Sequence, residues 1–344
     1  MVFPPPPVRP ILRTMSFARL LAPLAAAALI FAIPALANDS EAEWALGGIA
    51  LKSNGDISMD SEDLFISSAI VAVNYRYTNH SDEDREVVIA FPLPALPGAE
   101  GYPDWDDLEF VTTVDGAPVE YEVHDRAMVG TRDVTALVEA EGWPVHWYRD
   151  YTFAEQVQQL PEADKARLVE RGLLAGELDG EVWRVAPAWQ GQRHYLRVQT
   201  FPAGQTVRVS HRYKPIVGGS VGGMLYPNVR ETVPEALAEY RDKWCIDDSF
   251  LHGIDRKLAA APAGTMPVQS ETWLGYVLSS GANWRGPIKR FRLVVDKGRP
   301  DNLVSFCMDG VRKISPTQFE VVKTDFEPER DLDILIVNTE MVPD

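Results

Sequence analysis

The chain has 344 residues, 46% of them hydrophobic and 24% charged, which is enough to bury the core of one large domain or of two ordinary ones. Its 33 basic and 50 acidic residues give a formal net charge of −17, which argues against binding to nucleic acid or to anionic lipid by charge alone. We interpret the acidic excess as a solvated surface.

The first 37 residues have the pattern of an export signal. Met1 to Thr14 is rich in proline, Met15 is a second plausible start, and an apolar run extends from Leu20 to Ile33. Ala35-Leu36-Ala37 is a cleavage site, and the run is short for a membrane span. The sequence therefore predicts a mature chain from Asn38, no transmembrane anchor after cleavage, and a periplasmic or secreted location; an uncleaved anchor is the alternative.

Strand patterns begin soon after the cleavage site. Residues 57–66 carry oxygen side chains at alternate positions, which we interpret as the wet face of a strand; a calcium site is the alternative, but the spacing does not match an EF-hand. Val71 to Tyr77 and Val87 to Phe91 alternate in hydrophobicity across a polar segment, the pattern of two half-buried strands. The sequence predicts a hairpin in the core of a β-sandwich here, and a second one around Asp115-Gly116.

An aromatic cluster follows a short predicted helix. Trp143, His146, Trp147 and Tyr148 lie within seven residues, and such a cluster can stack on a saccharide or hold a peptide or partner. A loop packed onto the core is the alternative, because large aromatic side chains bury so much area. Residues 152–175 have the composition of a helical insertion.

A third hairpin is predicted from Tyr195 to Tyr213. His194 and His211 would then lie across from one another and could share a zinc ion, although two ligands are too few, and histidines packed in the core are the alternative. Gly218 to Gly223 follows, and we interpret it as a flexible boundary. It also matches the G-x-S-x-G motif of serine hydrolases at Ser220, but the residues that follow it do not predict the helix that this motif needs.

The C-terminal part is predicted to contain two short helices and then several strands. Cys245 and Cys307 are the two cysteines of the chain. In an oxidising compartment this number suggests one disulfide bond, which would close a loop of about 60 residues; two separate buried thiols are the alternative.

Several segments resemble the bacterial domain-of-unknown-function family 4424, namely Asn38-Asp39-Ser40, Phe91-Pro92-Leu93-Pro94, Phe201-Pro202-Ala203-Gly204 and Gly281 to Gly310. The resemblance covers nearly the whole mature chain and implies an exported protein of unassigned activity, with no catalytic residues to carry over. The first part also resembles, more weakly, the vault protein inter-alpha-trypsin β-sandwich, in which a V-x-V-x-Y strand leads to FPLP. The helical insertion and the lack of a DxSxS metal motif depart from that second family.

The sequence thus predicts a mainly β protein. A large antiparallel sandwich, residues 38–218, would carry the helical insertion, and a smaller α+β domain, residues 224–344, would follow. There is no nucleotide-binding motif, so we expect no cofactor. Since no catalytic set converges, we expect a non-catalytic interaction or structural module that binds another protein of the bacterial envelope through loops or a strand edge. The alternatives are a saccharide- or peptide-binding module and, third, a serine hydrolase at Ser220.

Overall fold

The computed structural model of this protein describes residues 40–45, 48–52, 54–93, 108–130, 132–150, 152–179, 182–221 and 223–343. The predicted signal peptide and its cleavage site lie outside these residues. All the described residues belong to one compact unit, and the division predicted between residues 218 and 224 stays a prediction. Among the described helices, none has the length and apolar character needed to cross a membrane.

The protein is mainly β, as predicted, and its described strands form three large sheets and one hairpin. The six-stranded sheet contains β1 (Ser40–Ala45), β2 (Gly48–Lys52), β5 (Arg85–Pro92), β8 (Glu122–Val129), β9 (Arg132–Asp133) and β12 (Gln190–Phe201). The eight-stranded sheet contains β3 (Ile57–Ser67), β4 (Val71–Asn79), β6 (Val111–Val114), β7 (Ala117–Pro118), β13 (Thr206–Tyr213), β16 (Ile288–Asp296), β18 (Arg312–Lys313) and β19 (Gln318–Phe326). The four-stranded sheet contains β14 (Gly218–Val221), β15 (Thr265–Tyr276), β17 (Leu303–Phe306) and β20 (Leu332–Pro343). The hairpin pairs β10 (Leu174–Asp179) with β11 (Val182–Pro187).

The strand order shows how the two halves of the sequence interleave. It is β2-β1-β5-β12-β8-β9 in the six-stranded sheet, β18-β19-β16-β3-β4-β13-β6-β7 in the eight-stranded sheet and β14-β15-β20-β17 in the four-stranded sheet. Described neighbours are antiparallel, except that β16 runs parallel to β3 with Arg290 opposite Ser61. A strand from the C-terminal part therefore completes the sheet that the N-terminal part begins.

The main core lies between these sheets. Alternate residues of β4 are buried, as the pattern predicted, and they pack against Phe91 and Tyr195 of the six-stranded sheet. The four-stranded sheet contributes Tyr276, whose hydroxyl lies 2.8 Å from that of Tyr75. Burial of this many aromatic rings supplies most of the favourable free energy of such a core.

The prediction of a solvent-exposed face on β3 is wrong at two positions. Ser58 and Glu62 are buried, and Glu62 Oε1 accepts a hydrogen bond of 3.2 Å from Tyr276. A buried carboxylate needs such partners because leaving water is costly for it. Ser58 lies opposite Thr78, but the pairing of β3 with β4 shifts between Met59 and Ser61, so Glu62 lies opposite Tyr75 and faces the core. A β-bulge of this kind moves the residues that follow it to the other face of the strand.

The predicted hairpins from Val71 to Phe91 and from Tyr195 to Tyr213 are also wrong. β4 and β13 belong to the eight-stranded sheet, whereas β5 and β12 belong to the six-stranded sheet. Both connections therefore cross from one sheet to the other. All four segments are strands, but β4 pairs with β13 and β5 pairs with β12.

Asn79 joins these two crossings. Its fully buried side chain donates hydrogen bonds of 2.8 Å to Glu83 O and to Phe201 O, and it accepts one of 2.9 Å from Ser81 N. One amide thus satisfies backbone groups of both crossings, which would otherwise be buried without partners. In contrast, the hairpin predicted at Asp115-Gly116 is confirmed between β6 and β7, with both residues at positive φ as a type I′ turn requires.

The described α-helices form two groups. They are α1 (Thr135–Ala140), α2 (Phe153–Gln158), α3 (Glu162–Glu170), α4 (Pro227–Arg230), α5 (Pro234–Trp244) and α6 (Asp248–Ala259). The first three, with the hairpin β10–β11, enclose a small core around Trp189, and we call residues 132–189 the insertion module. Of the last three, α5 and α6 pack on the four-stranded sheet around Trp244 and α4 contacts α5; we call residues 223–260 with that sheet the C-terminal layer.

Candidate functional site

The predicted aromatic surface lies in the loop between α1 and α2, and most of it packs inward. The Trp143 ring stacks on Trp189 with 5.8 Å between centroids and meets Phe153 edge-on. Trp147 Nε1 donates to Trp189 O at 3.0 Å, and Trp189 Nε1 donates to Val145 O at 2.9 Å. The loop and Trp189 therefore satisfy each other's polar groups while they bury their rings. The role of this cluster as a ligand or partner surface stays a prediction.

His146 and Tyr148 lie deeper, against the six-stranded sheet. His146 is 8% exposed, and its Nδ1 lies 2.8 Å from the Tyr148 hydroxyl. The imidazole covers the backbone of Gly191, where a side-chain carbon would lie 2.3 Å from Nδ1. Only glycine permits this approach, so Gly191 is what allows the loop to dock on β12.

Two charged residues that the sequence did not point to complete this contact. Asp125 of β8 lies directly across from Arg193 of β12, and Arg193 donates two hydrogen bonds to it, at 2.8 and 2.9 Å. His146 Nε2 lies 2.8 Å from Asp125 Oδ2. Burial alone would raise the pKa of Asp125, but the hydrogen bonds and charges of Arg193 and His146 lower it far below its usual value.

The contacts of Asp125, Arg193 and His146 position the aromatic loop and lack the features of a catalytic group. The Asp125 carboxylate stays ionised through the physiological range, and both ring nitrogens of His146 face partners. A general base needs a pKa near the working pH and access to substrate. We therefore interpret Asp125, Arg193 and His146 as the anchor of the aromatic loop.

The open surface of the insertion module is a cleft between α2 and the hairpin β10–β11. Its volume is about 480 Å³, and its lining side chains are mostly small, including Ala154, Ala175 and Ala186. The Gln158 side chain closes one wall. It donates to Trp183 O at 3.1 Å and accepts from Val185 N at 2.8 Å, so one amide covers the outer edge of β11.

Trp183 is the exposed aromatic residue of this hairpin. Its ring lies on Gly176, where a side-chain carbon would be 2.2 Å from Trp183 Cζ2, yet 38% of the residue remains exposed. Glu155 and Arg184, both exposed, supply opposite charges to the lining of the cleft. The sequence reasoning missed Trp183, although the Asp179-Gly180 pair before it is a hairpin signal that could have placed it on a turn-proximal strand.

Ser220 does not lie at a nucleophile elbow. It is inside strand β14, opposite Glu271 of β15, rather than on a tight turn from a strand into a helix. The glycines around it allow close packing instead. A side-chain carbon at Gly219 would lie 2.5 Å from Glu271 O, and one at Gly223 would lie 2.1 Å from Glu271 Oε1.

Glu271 is itself a buried carboxyl group of the C-terminal layer. It is 4% exposed, and its Oε2 accepts hydrogen bonds from Trp273 Nε1 at 2.9 Å and from the Tyr240 hydroxyl at 3.3 Å. Burial raises its pKa, and these two hydrogen bonds oppose the rise only in part. Gly223 therefore lies against a buried carboxyl group whose pKa is raised.

The two histidines that we expected to face each other do not. His211 of β13 lies in the eight-stranded sheet, with Nδ1 2.8 Å from Thr112 Oγ1. His194 of β12 lies in the six-stranded sheet opposite His124, and burial lowers its pKa to about 3. Within the described ranges, no three His, Cys, Asp or Glu side chains are arranged to hold a metal ion.

The structure contains the predicted disulfide bond. Cys245 and Cys307 are joined across 62 residues, which ties the end of α5 to the residue after β17. Cys245 ends α5 in a left-handed conformation, with φ of 52°. Arg330 donates to the last carbonyls of that helix, at Asp242 O and Lys243 O, where a positive charge is favourable.

Comparison with known proteins identifies the family of this chain. The profile of the family described as "Domain of unknown function (DUF4424)" matches residues 37–335. No curated protein matches the chain significantly. The likeness to the vault protein inter-alpha-trypsin sandwich stays a prediction.

Similar solved structures are distant. A proposed nutrient binding protein from Legionella pneumophila is 14% identical with a TM-score of 0.40, over 88% of this chain and 70% of that one. An M1 zinc metallopeptidase from Deinococcus radiodurans is 9% identical with a TM-score of 0.26, over 83% of this chain. The chain spans 43% of the length of that metallopeptidase.

Proposed function

We propose that this chain, which belongs to the DUF4424 family, is a non-catalytic interaction module of the bacterial envelope and that it binds a partner protein through its insertion module. The observation that carries the proposal is the open cleft of about 480 Å³ beside Trp183. Tryptophan and arginine are among the residues most enriched at the hot spots of protein–protein interfaces.

The cleft is built to be rigid. Trp189 and the aromatic loop hold α2, and the Gln158 amide holds β11 at a fixed distance from that helix. A preformed surface loses little conformational entropy on binding, so more of the contact energy appears as affinity. The anchor formed by Asp125, Arg193 and His146 supports the same rigidity from the sheet side.

Location outside the cytoplasm is part of this proposal. The disulfide between Cys245 and Cys307 supports it, because such bonds persist in oxidising compartments and are rare where thiols are kept reduced. The export signal predicted for residues 1–37 supports the same location. We propose that the partner is another protein of that compartment.

The test is capture of the partner from the native envelope by the tagged protein, with a photo-crosslinking residue at Glu155 and detection by mass spectrometry. Trp183→Ala should reduce capture of the same partner about 30-fold or more, the loss expected for a hot-spot residue at about 2 kcal/mol. Met266→Ala is the matched control, since Met266 is equally apolar and more exposed but lies on β15. Equal capture by wild type and both variants would contradict the proposal.

Saccharide binding is the second candidate, and Trp183 is again the residue that favours it. A tryptophan ring that packs on a glycine, with Glu155, Gln158 and Arg184 around the cleft, offers a stacking platform and planar hydrogen-bonding groups. Fluorescence titration with a panel of envelope glycans should then show quenching of tryptophan emission. In calorimetry, Trp183→Phe should retain glycan binding and Trp183→Ala should lose it. No binding of any glycan by calorimetry would remove this candidate and leave the first intact.

A further inference from the structure

The disulfide bond of the C-terminal layer lies at the surface, between two clefts. Cys245 is an exposed residue at the end of α5, and Cys307 is partly buried after β17. Cys245 lines a cleft of about 360 Å³ beside α6, and Cys307 lines a cleft of about 340 Å³ that Asp331 and Leu332 also line. A thiolate in solution can therefore approach the bond while the chain remains folded, which is the first requirement for thiol–disulfide exchange.

The two clefts differ in charge, and this difference selects the sulfur that is attacked. The charged residues that line the Cys245 cleft are Asp247 and Arg256, one of each sign. The Cys307 cleft is lined by four acidic residues and two basic ones, namely Asp309, Glu327, Glu329, Asp331, Lys323 and Arg330. An excess of acidic groups repels an incoming thiolate. Cys245 is therefore the sulfur that is open to attack, and Cys307 is the one that leaves.

The leaving sulfur already lies against groups that stabilise its reduced form. Cys307 Sγ is 3.6 Å from Asp242 O and 3.5 Å from Lys243 O, two carbonyls at the end of α5. A free thiol at this position can donate a hydrogen bond to them. Arg330 donates to the same two carbonyls, at 3.3 and 3.4 Å. Its guanidinium group therefore lies near Cys307, where a positive charge favours the thiolate that forms when the bond breaks.

Contacts other than the disulfide also hold α5 on β17. Trp244, the residue before Cys245, is 3% exposed in the core of the C-terminal layer. Ser305 Oγ donates to Trp244 O at 2.8 Å and lies 3.3 Å from Cys245 O. The two sulfurs therefore stay near each other after the bond opens, so the reduced chain remains folded and the bond can form again.

We propose that the Cys245–Cys307 disulfide is an exchange site that a dithiol protein reduces while the chain stays folded. One thiolate of the dithiol attacks Cys245 Sγ, the bond to Cys307 breaks, and Cys307 leaves with the electron pair and takes up a proton. The second thiolate of the dithiol then attacks its own partner sulfur in the mixed disulfide, and Cys245 leaves and takes up a proton. The dithiol is oxidised to a disulfide, both cysteines are reduced, and the two protons that the dithiol loses balance those gained. This site does not depend on the insertion module.

The first test asks whether the folded protein is reduced directly. The probe is dithiothreitol without denaturant, the reaction is stopped with iodoacetamide, and mass spectrometry measures the fraction of alkylated chain. We expect the rate to rise in proportion to the dithiothreitol concentration and to lie within about tenfold of the rate for the unfolded chain in concentrated urea. A rate that levels off as dithiothreitol increases would be set by unfolding and would overturn the proposal.

The second test locates the attacked sulfur. Glutathione is added to the folded protein, the released thiol is alkylated at once, and mass spectrometry of peptides identifies the cysteine that carries glutathione. Cys245 should carry at least about five times as much glutathione as Cys307. An equal share, or an excess on Cys307, would contradict the order of attack.

Arg330→Gln tests the stabilisation of the leaving sulfur. It should slow reduction by dithiothreitol about threefold or more, because the Cys307 thiolate loses a neighbouring positive charge. Arg299→Gln is the matched control, since Arg299 is also exposed but pairs with Asp301, and it should react at the wild-type rate. Reduction of both variants at the wild-type rate would contradict the role of Arg330.

Thioredoxin is the protein probe for the dithiol partner. Its attacking cysteine has a pKa of about 7, so more of it is thiolate at neutral pH than in dithiothreitol, and it should reduce the folded chain at least about ten times faster at equal concentration. Trp183→Ala should leave this rate unchanged, which separates the result from the test of the insertion module. Reduction by thioredoxin no faster than by dithiothreitol would overturn the assignment of a dithiol protein as the partner.

Discussion

The insertion module and the C-terminal layer hold helices onto strands in different ways. Each has a core centred on one buried tryptophan, Trp189 in the first and Trp244 in the second. The insertion module relies on packing and on hydrogen bonds of the indole groups. The C-terminal layer adds a disulfide bond and a buried carboxyl group, Glu271. We therefore expect the insertion module to lose most stability when its buried tryptophan is removed. The C-terminal layer should lose most stability when its disulfide bond is removed.

The largest effect should come from Trp189→Ala. Trp189 is 1% exposed and stacks on Trp143, so its removal leaves a large cavity and breaks the hydrogen bond from its indole to Val145 O. We expect the free energy of unfolding in urea to fall by about 5 kcal/mol. Trp183→Ala is the matched control and should cost less than about 1 kcal/mol, because Trp183 is partly exposed. A loss below about 2 kcal/mol for Trp189→Ala would show that the module does not depend on this packing.

Removal of the disulfide should have the next largest effect. The double change Cys245→Ser and Cys307→Ser opens a loop that spans 62 residues, which corresponds to about 4 kcal/mol in the chain-entropy model. Urea denaturation of the oxidised protein, the reduced protein and the double variant would measure it. Reduction should lower the stability of Trp189→Ala by the same amount, since the two sites share no contact residues. A much smaller loss on reduction would mean that packing alone holds the C-terminal layer.

A smaller effect should follow from Gly223→Ala. The added carbon would lie 2.1 Å from Glu271 Oε1, so the loop or the carboxyl group must move, at a cost of about 1–3 kcal/mol. Gly55→Ala is the matched control, because nothing lies within 4 Å of a side-chain carbon there. If the two variants unfold at the same urea concentration, the close packing of Gly223 on Glu271 is not important for stability.

The smallest effect should be a difference in pH response. His194 lies on the strand that continues from Trp189, and its folded pKa of about 3 is below the unfolded value of about 6.5. As the pH falls from about 7 to about 5.5, the unfolded chain takes up a proton that the folded chain does not, so stability falls by about 1 kcal/mol. Glu271 behaves in the opposite sense, because its folded pKa is raised and its contribution is lost as the pH rises above its unfolded value.

Two variants separate these contributions. His194→Gln should remove about 1 kcal/mol of the stability lost between those pH values, whereas Glu271→Gln should make the loss larger. Urea denaturation at each pH measures both. An unchanged loss in His194→Gln would show that His194 is not held neutral in the folded protein.

The sequence predicted those features that depend on neighbouring residues. The alternation in β4, the turn at Asp115-Gly116 and the helices between residues 152 and 175 are all present. It did not predict which strands pair, because alternation identifies the face of a strand and not its partner. The crossings near Asn79 and Phe201 look like hairpin turns in sequence, but the side-chain amide of Asn79 directs them between sheets.

The candidate site shows the same limit. The aromatic residues Trp143, His146, Trp147 and Tyr148 could be found because they are adjacent in sequence. Asp125 and Arg193, which anchor them, are contributed by strands before and after the insertion, and nothing local distinguishes them from other surface charges. Gly176 of the paired strand leaves room for the Trp183 ring, and that pairing is not encoded near Trp183 itself.

During synthesis, β3 is completed roughly 230 residues before its neighbour β16, since Ser61 pairs with Arg290. At about 5–20 residues per second, the edge of an eleven-residue strand stays open for roughly 10–50 seconds of synthesis. An open edge of that length invites pairing with other chains. The nascent chain therefore passes through a period in which this edge can pair with other chains, and a chain that is truncated before β16 never covers it.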